Sequence, residues 1–413
     1  MKQLIAVILC VSLLLAGCGA SSAPDAGEVS QQEATAAPVQ QPGEIPAAGN
    51  PLTGLPLEGE VQRPVAVMVN NAPGGGLRQW GLSSASVIVE ALTEGENTNW
   101  MLWFDQLSAV PKVGPVAEAK DVFWQLALPM NSILVQKGMN SYAENLLNCY
   151  GIQPLDALML GVNSFDYDGS DPLMPVEFSW YTQGASLQYG VDYYQMPLTG
   201  PVPGWQHFGT PAEGQPAASV TVQFSSAQAT TLRAENGLWG LYRTDGTQQL
   251  DANNGQPVQV RNVVILQAAA SVKDNKFTRE YDLTGGEGLY LVDGTWQPIR
   301  WQKGDVASPL TLTTPDGAPL TLAAGKTYLA VTGNFDGQSV TVLAADGTVA
   351  YPVLDAQPAV TEILATEVPA TEVPATEVPA TEVPAAEAVV PEVSAEPVPE
   401  PPAEPAPEPP VEG

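Results

Sequence analysis

The pentapeptide Ala-Thr-Glu-Val-Pro occurs four times in succession from Ala365 to Pro384, then decays into Glu-Pro-Ala runs up to Gly413. Proline at every fifth position removes a backbone donor and clashes with the preceding turn, so no continuous helix forms there. Twelve glutamates and no Lys or Arg follow Pro358, and their repulsion favours an extended, polyproline-like chain. At about 3.1 Å per residue this tail reaches on the order of 160 Å. Residues 352–413 therefore read as a disordered acidic tail, either a spacer or contact arm or a solubilising extension. Residues 19–49, with almost no large apolar side chains, cannot offset the entropy of ordering and read as a flexible tether. Any core must be built from about residue 50 to residue 351.

The first eighteen residues are a separate signal. Lys2 precedes an apolar run from Leu4 to Leu15, too short to span a bilayer comfortably, which ends in Leu15-Ala16-Gly17-Cys18. Small residues before a cysteine at this depth resemble a lipobox, which predicts acylation of Cys18, an extracytoplasmic location and a membrane surface as one partner. Cys10 leaves with the signal, so Cys149 is the one remaining thiol, no intramolecular disulfide is possible, and packing is the favoured reading of Cys149. The formal charge is −30, and residues 50–358 hold 29 acidic against 14 basic side chains. Such a body repels phosphate backbones, which excludes nucleic acid as a partner; metal cations and basic peptides are less disfavoured.

The body divides near a Pro/Gly-rich stretch, residues 196–219, into an N-terminal region (50–205) and a C-terminal region (206–351). In the first, residues 64–71 read as a buried strand, and 85–92 and 98–104 as a hairpin about Glu94-Gly95-Glu96-Asn97. After Gly114-Pro115, the spacing of Val116, Ala119, Val122, Phe123, Leu126 and Ala127 predicts one amphipathic helix stopped by Pro129. A strand at 132–136 follows, then a helix opened by a Ser141/Glu144 capping box and closed by Gly151, and a further strand at 157–160. The second region reads as β throughout, with candidate strands at 219–225, 238–243, 259–267, 288–293, 295–301, 309–313, 318–322, 327–333 and 338–343. The predicted class is α+β: a mixed α/β domain followed by a β-rich antiparallel domain.

Several stretches carry a family resemblance in this order: Asn50-Pro51-Leu52-Thr53-Gly54-Leu55-Pro56, Arg63 to Asn71, Gly81-Leu82-Ser83, Gly114-Pro115-Val116, and residues 260–267, 279–303 and 325–333. The combination resembles the YerB-like bacterial lipoproteins, a two-part domain of unknown function with an N-terminal α/β and a C-terminal β-rich portion. The resemblance implies architecture and location more than chemistry. It also marks departures. The family pattern puts an arginine at Asn99, Gly-Pro-Val-Arg-Ser-Ala-Arg over Gly114 to Lys120, a histidine at Gln136 or Lys137, and Pro-His-Asn at Pro175 to Glu177. A pocket built there would keep its frame and lose its arginines and histidines. Its candidate residues are Asn70, Asn71, Asn99, Lys120, Gln136 and Glu177, with Ala117, Glu118 and Lys137 at the mouth.

Other chemistry is sparse. The single histidine, His207, lies in the connector with no Gly-x-Ser-x-Gly elbow to serve, and one histidine with one body cysteine nearly excludes zinc. Asp166, Asp168, Asp171 and Glu177 have oxygen-ligand spacing that would suit Ca²⁺, although Pro172 and Pro175 interrupt the loop and a solvated acidic loop is the simpler reading; no other cofactor is implied. Trp80, Trp100, Trp103, Trp124, Trp180, Tyr181 and Trp205 could form core or line a groove. The leading expectation is a non-catalytic binding or scaffolding lipoprotein of the cell envelope with an uncharged, aromatic-lined cleft. The alternatives are a carboxylate-dependent extracytoplasmic hydrolase or transferase acting on envelope material, and a spacer with no cleft at all.

Overall fold

The computed structural model describes residues 49–351, apart from Glu58, 74–77 and Asp171. The signal, Cys18, the tether before residue 49 and the tail from 352 lie outside the described residues.

The body is organised by a mixed sheet of eleven described strands. Its N-terminal part is β1 (Val65–Asn70), β2 (Val87–Glu94), β3 (Asn97–Phe104), β4 (Ile133–Gln136) and β5 (Leu155–Asp156). The hairpin β2–β3 turns at Gly95-Glu96, as its turn residues predicted. The antiparallel register of β1 on β3 runs from Val65 opposite Phe104 to Asn70 opposite Asn99, and β4 lies parallel to β1. Strand Thr327–Thr332 pairs in parallel with β2 on one side and with Asn262–Gln267 on the other, so one sheet runs through both halves of the body. Strands Gly285–Val292, Thr295–Gln302 and Thr311–Thr313 extend it to the far edge.

Both faces of this sheet are covered, which explains the near-continuous apolar runs in its strands. Alternation sends Val65, Val67, Val69, Leu102, Phe104, Val263 and Ile265 into one core, against a six-stranded antiparallel sheet and helix Gly184–Tyr193. Their neighbours Ala66, Met68, Met101, Trp103, Val264 and Leu266 enter a second core under helices α1 (Asp121–Ala127) and α2 (Ser141–Tyr150). The β-rich second half is thus divided between two sheets. The predicted strand 259–267 breaks at Arg261, with Gln259–Val260 joining the small sheet and Asn262–Gln267 the large one.

Local chemistry corrects five readings. The helix expected from Val116 begins only at Asp121, because residues 115–119 are taken up in bridges, Val116 with Val69 and Ala119 with Met139. The cap of α2 is Asn140, whose Oδ1 accepts from the Ala143 backbone at 2.9 Å, not Ser141. Residues 157–160 form a helical turn rather than a strand, since the Asp156 side chain accepts from the Leu158 backbone at 2.8 Å. Strand Ala229–Glu235 was missed; its signal is the Asn236-Gly237 hairpin turn, with φ of 52° and 77°. Cys149 is exposed rather than packed, because α2 buries the stripe of Ala143 and Leu147 and Cys149 stands two positions past it.

Candidate functional site: a polar cleft at the strand ends

The bridged segment that shortened the first helix also shapes the site. It wedges between β1 and the end of β4: the Asn70 amide donates to the Pro115 carbonyl, Ala117 to Met68, Lys137 to Ala117 and Ala119 to Gly138, all at 2.9–3.0 Å. Splaying the two parallel strands opens a cleft of about 290 Å³ at their ends, and Asn70, Asn99, Glu118, Lys120, Lys137 and Glu177 stand in its walls.

Asn70 and Asn99 are directly cross-strand. Each spends its carbonyl internally, Asn70 Oδ1 accepting from the Ala72 backbone at 2.8 Å and Asn99 Oδ1 from Thr93 Oγ1 at 3.2 Å. Among the described residues neither amide nitrogen has a protein partner. Lys120, only 4 % exposed, donates to Glu94 Oε1 at 2.8 Å and Glu118 Oε2 at 2.5 Å, and Glu94 Oε1 also accepts from Thr278 at 2.9 Å. Lys137 Nζ and the exposed Glu177 carboxylate make no hydrogen bond or ion pair with described residues. The charged lining is therefore three glutamates against two lysines, with no aromatic side chain, which corrects the expectation of an uncharged, aromatic-lined cleft.

Four of the six predicted pocket residues, Asn70, Asn99, Lys120 and Glu177, meet here with all three mouth residues, while Asn71 and Gln136 do not. Asn99, Ala117, Glu118, Lys120, Lys137 and Glu177, positions where the resemblance led one to expect other residues, converge on this one cleft. Gln136 lies fully buried, accepting from Trp124 Nε1 at 3.0 Å and donating to Asp156 Oδ2 at 2.8 Å. Asn71 lines a different space. Its amide donates to Glu90 Oε1 at 2.9 Å and Thr98 Oγ1 at 2.8 Å, beside a cavity of about 300 Å³ at the seam with the six-stranded sheet.

That seam holds a group the sequence reading passed over. Glu90 is the charged residue inside the apolar run Ala85–Leu92, and it is fully buried. Its carboxylate accepts from Asn71, from Thr98 at 2.7 Å, from Thr230 at 2.9 Å and from Tyr328 at 2.8 Å, with no cation in contact. Burial pushes its carboxyl above the usual range, and the hydroxyl hydrogen bonds pull against that rise.

The acidic loop is disposed otherwise. Asp168 Oδ2 pairs with Arg78 Nη1 at 3.2 Å, Ser170 hydrogen bonds hold its carboxyl below the usual range, and Asp166 sits in a short strand opposite Tyr181. Asp171 lies outside the described residues, and Glu177 belongs to the cleft. Among the described residues no three His, Cys, Asp or Glu side chains are grouped to hold a metal ion. His207 is exposed on a short strand paired with Thr321–Ala323. The aromatics are dispersed: Trp124 is fully buried, Trp103 packs on Trp205 at 6.5 Å, and Trp80 on Tyr181 at 5.5 Å under the Lys112 ammonium.

The shared sheet, the helix-covered and sheet-covered faces and the open cleft define an α+β protein in two sequential parts. Residues 52–191 match the N-terminal and 220–329 the C-terminal domain of a family described as protein of unknown function DUF3048, and the chain belongs to that family. It is 30 % identical over 307 residues to the "Putative lipoprotein YerB" of Bacillus subtilis, spanning 70 % of this chain and 88 % of that one. The crystal structure of the Bacillus subtilis YerB protein matches with a TM-score of 0.63 at 27 % identity, covering 71 % of this chain and 99 % of that one. The YerB-like resemblance read from the sequence is thereby shown, and the homology to a putative lipoprotein supports a lipoprotein of unknown function.

Proposed function

We propose that the protein is a membrane-anchored extracytoplasmic lipoprotein, lipidated on Cys18, whose body binds a cell-envelope component in the cleft without turning it over. The observation that carries this is the cleft lining: two cross-strand amides with free donors, an ion-paired lysine, and no serine, cysteine, histidine or tyrosine among its described residues. Such a set orients a polar ligand and offers no serine or cysteine nucleophile and no imidazole base, which leaves the glutamates as the groups a hydrolase would have to use. The lipoprotein name of the relative and the Leu15–Cys18 sequence support the anchor.

Two measurements test it. Metabolic palmitate labelling is expected on the wild type and absent from Cys18→Ala, which moves to the soluble fraction; labelling that persists in the variant removes the anchor. Immobilised full-length protein in detergent is expected to retain unmodified wall fragments from a muramidase digest, and Asn99→Ala to retain fewer. Cleavage of those fragments, lost in Glu118→Gln or Glu177→Gln, would replace binding by the carboxylate-hydrolase reading.

A further inference from the structure

We propose that the cleft takes a small zwitterion, an amino acid or short peptide with a free ammonium and a free carboxylate. This rests on the reading of the cleft as a binding site and specifies what enters it.

The lining offers two kinds of unfilled group. The donors are Asn70 Nδ2 and Asn99 Nδ2, side by side across β1 and β3, and Lys137 Nζ beyond the bridged segment. These face a carboxylate or peptide carbonyl. The acceptors are the second oxygen of Glu118, not engaged by Lys120, and both oxygens of Glu177. These face an ammonium through charge-assisted hydrogen bonds, about twice as strong as neutral ones.

Lys120 is not a ligand group. Glu94 and Glu118 already engage its ammonium, and it is buried, so it acts as a positioning residue that fixes the two carboxylates. An anion alone would meet three glutamates, and a cation alone would leave the amide donors unfilled beside Lys137. A ligand carrying both charges satisfies both sets. Sugar rings and nucleobases are commonly held by stacking, and the lining has no aromatic face to offer. A volume of about 290 Å³ lies at the lower end of small-ligand pockets, which suits a dipeptide.

The test uses the full-length protein in detergent and isothermal titration. The probes are alanyl-alanine (L,L and D,D), its N-acetyl and C-amide derivatives, and the neutral disaccharide diacetylchitobiose. At least one free dipeptide is expected to bind, with a tenfold or greater loss when either end is blocked. Glu177→Gln should weaken the free dipeptide and the amide but not the N-acetyl form. Lys137→Met should weaken the free dipeptide and the N-acetyl form but not the amide. Both positions are outside the core, and matching thermal melts will show that the variants fold.

Equal binding of free and blocked peptides, or Asn99-dependent binding of the disaccharide alone, overturns the zwitterion and leaves the binding cleft standing. If no probe and no wall fragment binds in a manner sensitive to Asn99→Ala, both fall.

Discussion

Glu90 at the seam and Lys120 at the cleft are almost equally hidden, at 0 % and 4 % exposure, but their surroundings differ in kind. Lys120 sits between two opposite charges whose outer faces reach water, the Glu94 and Glu118 side chains being 40 % and 46 % exposed. Glu90 has four neutral donors and no counter-charge in contact. A buried ion beside solvent-facing partners forfeits little hydration in total, whereas one among neutral dipoles bears the whole desolvation cost. The cleft thus keeps its carboxylates beside water, and the seam ties strands of both halves through one carboxyl.

The largest expected effect follows from removing that carboxyl. Glu90→Ala strips the acceptor from Asn71, Thr98, Thr230 and Tyr328 at once and leaves a void, at a cost of about 3 kcal/mol. Urea unfolding should show a lower midpoint with an unchanged slope. A midpoint within error of wild type would mean that the seam network contributes nothing.

Glu90→Gln sharpens the contrast through pH. The folded protein raises the Glu90 pKa above 4.5, so it binds that proton more tightly than the unfolded chain does. Stability from this group is present below 4.5 and is lost as pH rises from there through the folded value. Urea midpoints measured between pH 5 and 8 should therefore fall more steeply with pH in wild type than in Glu90→Gln. Superimposable profiles would remove Glu90 as the source.

The same contrast marks what the sequence could disclose. Strands β1 and β3 were legible because both faces of the sheet are covered, which writes unbroken apolar runs into residues 65–69 and 100–104. The helix start was not, because Val116 and Ala119 fit a helical stripe equally well when held extended by bridges to β1 and Met139. Asn99, Lys120 and Glu177 were picked out as departures from the expected family pattern, and Asn70 as part of a stretch that carries the resemblance. Asn71 and Gln136 then followed strand alternation and local packing to other places, which residue type alone does not disclose. Glu90 escaped because its partners Thr230 and Tyr328 lie 140 and 238 residues away, and only the shared sheet brings them together. Its one local signal was a charge inside an otherwise apolar strand.

The smallest expected effect is at the cleft. Lys120→Met retains most of the buried stem and removes the ammonium, leaving Glu94 and Glu118 near one another without a counter-ion. Both carboxylates can turn toward water, so the cost should be about 1 kcal/mol, well below that of Glu90→Ala. It should also depend on salt. Wild type loses part of its attraction between 0.05 and 0.5 M NaCl, at Debye lengths of roughly 14 and 4 Å, while the variant gains as the carboxylate repulsion is screened. The two midpoints should therefore converge at high salt. A salt-independent loss as large as that at Glu90 would show that Lys120 is held by burial rather than by its partners, and the distinction between seam and cleft would collapse.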